Sequence, residues 1–140
     1  MYTASTQVRV RYAETDQMSY VYYGNYAMYY EVGRVEALRQ LGFQYKRLED
    51  HGIMMPVLDL QCKFLFPAKY DELLSVKVIV PELPKVKMYF EYEVTNEQGK
   101  LVNEGKTTLV FLNMETNRPC RAPQELLDVL SVYFQWEKRS

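Results

Sequence analysis

Residues 25–42 read NYAMYYEVGRVEALRQLG. Tyr26, Tyr30, Gly33, Ala37 and Leu41 recur at intervals of three or four, while Glu31, Arg34, Glu36, Arg39 and Gln40 fall mostly off that stripe. This is the spacing of an amphipathic helix of about four turns. Asn25 suits the N-cap, where a side-chain oxygen accepts from a free N–H of the first turn, and Gly42 suits the position just past the C-terminus. Gly33 in the interior costs about 1 kcal/mol relative to alanine. A helix tolerates that where another backbone crosses it closely.

Strands flank the helix on both sides. Residues 5–12, STQVRVRY, alternate Val8, Val10 and Tyr12 against Gln7, Arg9 and Arg11, the period of a half-buried strand. A short helical piece over 44–50, ended by Gly52, precedes a run of alternating segments with no helix between them. Leu58, Leu60, Cys62, Phe64 and Phe66 share one face, as do Leu74, Val76, Val78 and Val80, then Val86, Met88, Phe90, Tyr92 and Val94, then Thr107, Leu109 and Phe111. The connections 67–71, 81–84 and 96–100 are short, the last with Gly99 available for positive φ, so successive strands are antiparallel neighbours. Pro123 opens a last amphipathic helix through Leu126, Leu127, Leu130, Tyr133 and Phe134. A sheet with one apolar face needs cover, and only the helix from Asn25 is long and apolar enough to give it. The expected fold is α+β over residues 1–140 as one domain: a five-stranded antiparallel sheet curled around one long central helix, with a C-terminal helix, which is the hot-dog architecture. Its edge strands leave backbone groups unpaired, so a homo-oligomer is expected, a dimer or dimer of dimers with sheets joined edge to edge.

With 140 residues, 48% of them hydrophobic, the chain suits one core and no second. Its formal charge of −1 gives nothing global to attract nucleic acid or an anionic membrane. No stretch reaches the roughly 18 apolar residues that span a bilayer, and Met1 to Val10 lack the apolar segment of a secretory signal, so a cytoplasmic location is expected. Cys62 and Cys120 then read as free thiols. A single histidine, His51, excludes His-rich metal sites and permits at most one Ser-His-Asp or Cys-His arrangement. No metal and no cofactor is expected.

The chemistry concentrates in residues 9–31, RVRYAETDQMSYVYYGNYAMYYE, where seven of the 13 tyrosines fall between Tyr12 and Tyr30. Asp16 lies in the loop leaving the first strand, and Tyr23 and Gly24 follow it just before the helix start. The first turn of a helix carries N–H groups without intrahelical partners and a partial positive charge, so it can hold an oxyanion as it forms. A carbonyl placed between the carboxylate and those N–H groups is open to attack.

The run of Arg9-Val10, Thr15-Asp16, Ser19, Val21, Tyr23 and Tyr26, at these spacings, resembles the signature of the 4-hydroxybenzoyl-CoA thioesterase family of hot-dog proteins. The match is close over some twenty residues, and the element order extends it along the chain. Tyr20 departs from the Ile or Val usual in the family and reshapes the acyl pocket without removing a reacting group. The resemblance implies hydrolysis of an acyl-CoA thioester to free acid and CoA, with Asp16 as nucleophile or general base. It also implies that the N–H of Tyr23, joined by that of Gly24, polarises the carbonyl. Acyl carrier protein thioesters are admitted by the same resemblance.

Other readings stand beside this one. A lone aspartate after a strand is commonly a turn or cap residue, and a hot-dog module that only binds acyl-CoA or a partner needs no reacting carboxylate. Hot-dog hydratases place a histidine shortly after the aspartate, whereas Gln17, Met18, Ser19, Tyr20 and Val21 follow Asp16 here. Tyr20, Tyr26, Met54 and Met55 are the candidate substrate-binding lining, although Tyr26, Tyr29 and Tyr30 also suit core and interface packing. His51 reads as a helix-end residue, Glu31 and Arg34 as an i,i+3 ion pair, and Lys85, Lys87, Arg118 and Arg121 as candidate contacts for CoA phosphates.

Overall fold

The computed structural model describes residues 1–135; residues 136–140, the tail of the domain expected over 1–140, lie outside the described residues. The elements run β1 (Tyr2–Arg9), α1 (Asn25–Gln40), α2 (Tyr45–Asp50), β2 (Ile53–Met54), β3 (Val57–Phe64), β4 (Leu73–Val80), β5 (Lys87–Thr95), β6 (Leu101–Val110), β7 (Leu112–Asn113) and α3 (Gln124–Ser131). Five strands form one antiparallel sheet in the order β1-β4-β5-β6-β3. A two-stranded ribbon of β2 and β7, not foreseen in the sequence, pairs Met54 with Leu112. Helix α1 packs over β1 and β4.

The buried face of α1 comprises Tyr26, Tyr29, Tyr30, Gly33, Arg34, Ala37 and Leu38. An alanine Cβ at Gly33 would stand 2.8 Å from Val76 Cγ1 and 2.9 Å from Val78 Cγ2. The close approach is thus to valine side chains on β4, not to a crossing backbone. At the other end Gly42 takes φ +84° just past the helix, the conformation glycine adopts most easily.

Four expectations are corrected. Residues 67–71 do not join neighbouring strands: β3 pairs with β6, while β4 lies between β1 and β5, since a short link limits how far the chain travels and not which strand takes its hydrogen bonds. Strand β1 begins three residues earlier than expected and stops at Arg9, because residues 12–14 turn into a single 3₁₀ turn; Tyr12 is 78% exposed instead of continuing the buried face. Strand β6 begins at Leu101 and not near Thr107, since Asn103 is buried between Val102 and Glu104 and Gly105 carries no side chain, which hides the alternation. Arg34 does not pair with Glu31: only 7% exposed, it lies on the buried stripe with Nη1 3.5 Å from the Tyr92 hydroxyl, and its Nε has no hydrogen-bond partner among the described residues.

Strand β3 occupies one edge of the sheet. Its apolar residues, expected to be covered, are not: Leu58 and Phe64 are each 56% exposed. Helix α1 packs over β1 and β4 at the opposite half of the sheet and reaches β3 through the side chains of Tyr26, against Phe64, and Tyr30, against Cys62.

Candidate active site

Asp16 sits in a tight turn between the 3₁₀ turn and α1. Its own N–H donates to the Tyr20 carbonyl at 2.8 Å, and its carbonyl accepts from Ser19 N–H at 3.0 Å. Ser19 holds the turn with φ +64°, a left-handed conformation that short polar residues accept more readily than bulky ones. The two carboxylate oxygens of Asp16 differ. Oδ1 accepts from the Met18 amide at 2.9 Å and the Tyr20 amide at 3.2 Å, whereas among the described residues nothing donates to Oδ2. One oxygen is committed to the turn and the other is available.

The chain then returns antiparallel to itself through the Thr15–Val21 bridge, and Val21 N–H donates to the Ala68 carbonyl at 2.8 Å. This brings Tyr22, Tyr23 and Gly24 to the start of α1. Gly24, and not Asn25, is the N-cap. Its missing side chain lets the Tyr22 ring fold over the turn, where a Cβ would meet Tyr22 Cε2 at 2.9 Å. Among the described residues no acceptor takes the backbone N–H of Tyr23 or of Gly24. Two unpaired donors therefore stand at the helix start, beside the dipole's positive end.

Asp16, Tyr20, Tyr23 and Tyr26 line one open cleft of about 380 Å³, together with Met18, Val21 and the segment 64–68. Aromatic rings form much of its wall. Tyr26 and Phe64 meet edge to face with centroids 5.7 Å apart, and Tyr23, 64% exposed, approaches Phe64 at 6.3 Å. The Tyr26 hydroxyl is pushed up to about 12, first by burial and then by the charges of Cys62 and Glu72. It remains a neutral donor near pH 7. Met54 and Met55 do not line this cleft, because Met54 is held in the β2–β7 ribbon. Of the basic candidates, Lys85 and Arg121 border a separate hollow of about 460 Å³. His51 ends α2, with Nε2 3.1 Å from Glu125 Oε2 on α3. Cys62 and Cys120 are both free thiols.

The sequence reading missed Glu14. It is 6% exposed, and its Oε1 accepts from the Arg11 amide and the Tyr29 hydroxyl, each at 2.9 Å, while Oε2 accepts from Arg11 Nε at 3.1 Å. Burial pushes this carboxyl up, but the bonds from Arg11 and Tyr29 outweigh it and hold it below its ordinary value. Glu14 is therefore ionised throughout the neutral range, and the stability this gives is lost only as acid protonates it. Its place two residues before Asp16 in a polar loop gave no sign of burial.

Among the described residues no three His, Cys, Asp or Glu side chains converge as a metal site, and no helix is long and apolar enough to cross a membrane. The chain is similar to known thioesterases along most of its length. DHNA-CoA thioesterase from Staphylococcus aureus superposes with a TM-score of 0.89 at 34% identity, over 99% of this chain and 93% of that one. Acyl-CoA thioesterase YbgC of Haemophilus influenzae is 28% identical over 123 residues, 87% of this chain and 90% of its own length. An acyl-acyl carrier protein thioesterase of Arabidopsis thaliana is 29% identical over 123 residues, which is 86% of this chain and 64% of its own. Residues 10–130 match the thioesterase-like superfamily, and the chain belongs to that superfamily.

Proposed function

We propose that this protein is an acyl-CoA thioesterase, the whole chain acting as one domain, in which Asp16 and the Tyr23 and Gly24 N–H groups are the reacting groups. The observation that carries the proposal is that Asp16 and Tyr23 line one cleft, where among the described residues one Asp16 carboxylate oxygen has no donor and the Tyr23 N–H, like that of Gly24 next in the chain, has no acceptor. The thioester carbonyl oxygen takes the N–H groups, a type of contact worth about 10²–10³ in kcat per donor. Asp16 Oδ2 then attacks the carbonyl carbon or draws a proton from an attacking water. A thiolate leaves at a pKa of about 8.5, so no strong acid is needed to protonate it and the distance of His51 from the cleft is no obstacle. Tyr20, Tyr26 and Phe64 bracket the acyl group, and their flat walls favour a planar acyl chain. Met54 and Met55 take no part in this arrangement.

The test is release of free thiol from a panel of acyl-CoAs, aryl and aliphatic from short to long, with acyl carrier protein thioesters alongside. Turnover of CoA esters, fastest with aryl groups, is expected. Turnover confined to carrier-protein esters would transfer the activity to that substrate, as the Arabidopsis relative's name suggests. No turnover at all would leave a binding module.

A second copy of the chain is the natural cover for β3, whose backbone edge is unpaired and whose apolar side chains are exposed. Pairing of two β3 edges would join the sheets of two copies beside the cleft, which Phe64 lines. Sedimentation equilibrium at micromolar concentration is expected to give twice the chain mass or a multiple of it. A stable monomer would exclude the arrangement.

A further inference from the structure

We propose that Glu14 and Asn25 are positioning residues that fix the loop bearing Asp16 against the helix turn bearing the two unpaired N–H groups. This rests on the reading of those groups as the reacting ones. The Glu14 carbonyl accepts two bonds, from Tyr22 N–H at 2.9 Å and from Asn25 Nδ2 at 2.8 Å. Tyr22 immediately precedes Tyr23, and Asn25 immediately follows Gly24, so one oxygen grips the chain on both sides of the donor pair. The same residue's carboxylate accepts from the Tyr29 hydroxyl, one turn further along α1, and from Arg11 on the other side of the loop. Glu14 thus meets α1 at two levels while standing two residues from Asp16. Asn25 does no capping of its own helix; its amide is spent on the loop.

A wider purpose than loop stability follows from what these bonds connect. The Met18 and Tyr20 amides orient Asp16 within its own turn. They leave open where that turn sits relative to residues 23 and 24. The Glu14 bonds and the Thr15–Val21 bridge supply that relation. Catalytic groups displaced by about 1 Å lose as much as 10²-fold in rate, so loosening the grip should appear in kcat before it appears in substrate affinity.

The experiment compares Asn25→Ala, Tyr29→Phe, Glu14→Gln and Glu14→Ala with wild type, recording kcat, KM, melting temperature and the amide NMR signals of Tyr23 and Gly24. Asn25→Ala and Tyr29→Phe are expected to lower kcat by about 10- to 10²-fold while KM changes less than about threefold, and to move both amide signals. Glu14→Gln retains an oxygen for the Arg11 amide and the Tyr29 hydroxyl, so it should restore much of what Glu14→Ala loses. A fall in melting temperature with kcat and both amide signals unmoved would overturn the proposal and leave a purely structural role. Should wild type hydrolyse no thioester, the thioesterase reading fails; the amide signals still decide whether Glu14 and Asn25 set the donor turn, since unmoved signals would refute it.

Discussion

Asp16→Asn is expected to yield a folded protein whose hydrolytic turnover has fallen by about 10²–10⁴-fold, the range usual for removal of a positioned base. The substitution is well matched to the site. Asp16 Oδ1 accepts the Met18 and Tyr20 amides, and the amide oxygen of asparagine accepts the same two bonds, so the turn closed by Ser19 persists. What changes is the other atom, where a free anionic oxygen becomes an NH₂ that can neither attack a carbonyl nor take a proton from water. KM should therefore move little, and circular dichroism and melting temperature should match wild type. Alanine would be a poorer probe, since it also abandons two amides. A loss in kcat of less than about tenfold, against that range, would place the chemistry on another residue.

The largest effect on stability is expected from Gly105→Ala. Gly105 lies in the middle of β6 between Cys62 of β3 and Tyr92 of β5, under the ring of Tyr30. A Cβ there would stand 2.6 Å from both Cε2 and Cζ of Tyr30, inside any normal contact, and would overlap its hydroxyl as well. Tyr30 has nowhere to go. It is fully buried, stacked on Tyr92 with centroids 4.2 Å apart and planes 7° from parallel, and its hydroxyl bonds to Asn103 while lying 3.3 Å from Cys62 Sγ. Overpacking of a rigid core costs about 1–3 kcal/mol, and this site belongs at the upper end. Thermal and urea unfolding should show the midpoint lowered, and Tyr30→Phe in the same chain should recover part of the loss by removing the overlapping oxygen. An unchanged midpoint would mean that β6 yields where the packing says it is fixed.

The long helix, the five sheet strands and the β4–β5 and β5–β6 hairpins were legible because period and turn chemistry agree with burial: Tyr26 to Ala37 at helical spacing, Leu74 to Val80 in alternation, Gly99 at φ +79° in the tight turn after Asn96. The 67–71 link was misread as a third hairpin, because a short link limits how far the chain travels and β3 spends its hydrogen bonds on β6 instead of β4. Legibility failed where one residue answers to a partner distant in sequence. Arg34 carries a charge that reads as surface, yet it falls on the buried stripe and lies against Tyr92, 58 positions away. Asn103 interrupts the apolar alternation of β6 because it serves the Tyr30 hydroxyl, 73 positions away. Strand β3 was read correctly as apolar on one face but incorrectly as covered, since pattern records which face avoids water and not what shields it. At the site, the sequence brought Asp16, Tyr20, Tyr23 and Tyr26 to one cleft, while Glu14 and the role of Asn25 emerged only with the loop's return path. The ribbon that holds Met54 outside the cleft's lining was not legible, because a two-residue strand is too short to leave a period.

The unpaired donors at the start of α1 belong to main chain and not to side chains, and this shapes what selection and mutagenesis can see. An alanine scan through residues 23 and 24 would leave both N–H groups in place, so a functional map drawn that way would pass over half of the proposed machinery. The same property frees position 23 to drift: its ring is 64% exposed, and any residue but proline presents the same amide. Replacement of single amides by esters, which deletes one N–H and keeps the side chain, is the perturbation suited to such a site, and it would turn an anonymous stretch of backbone into a measurable contributor to rate.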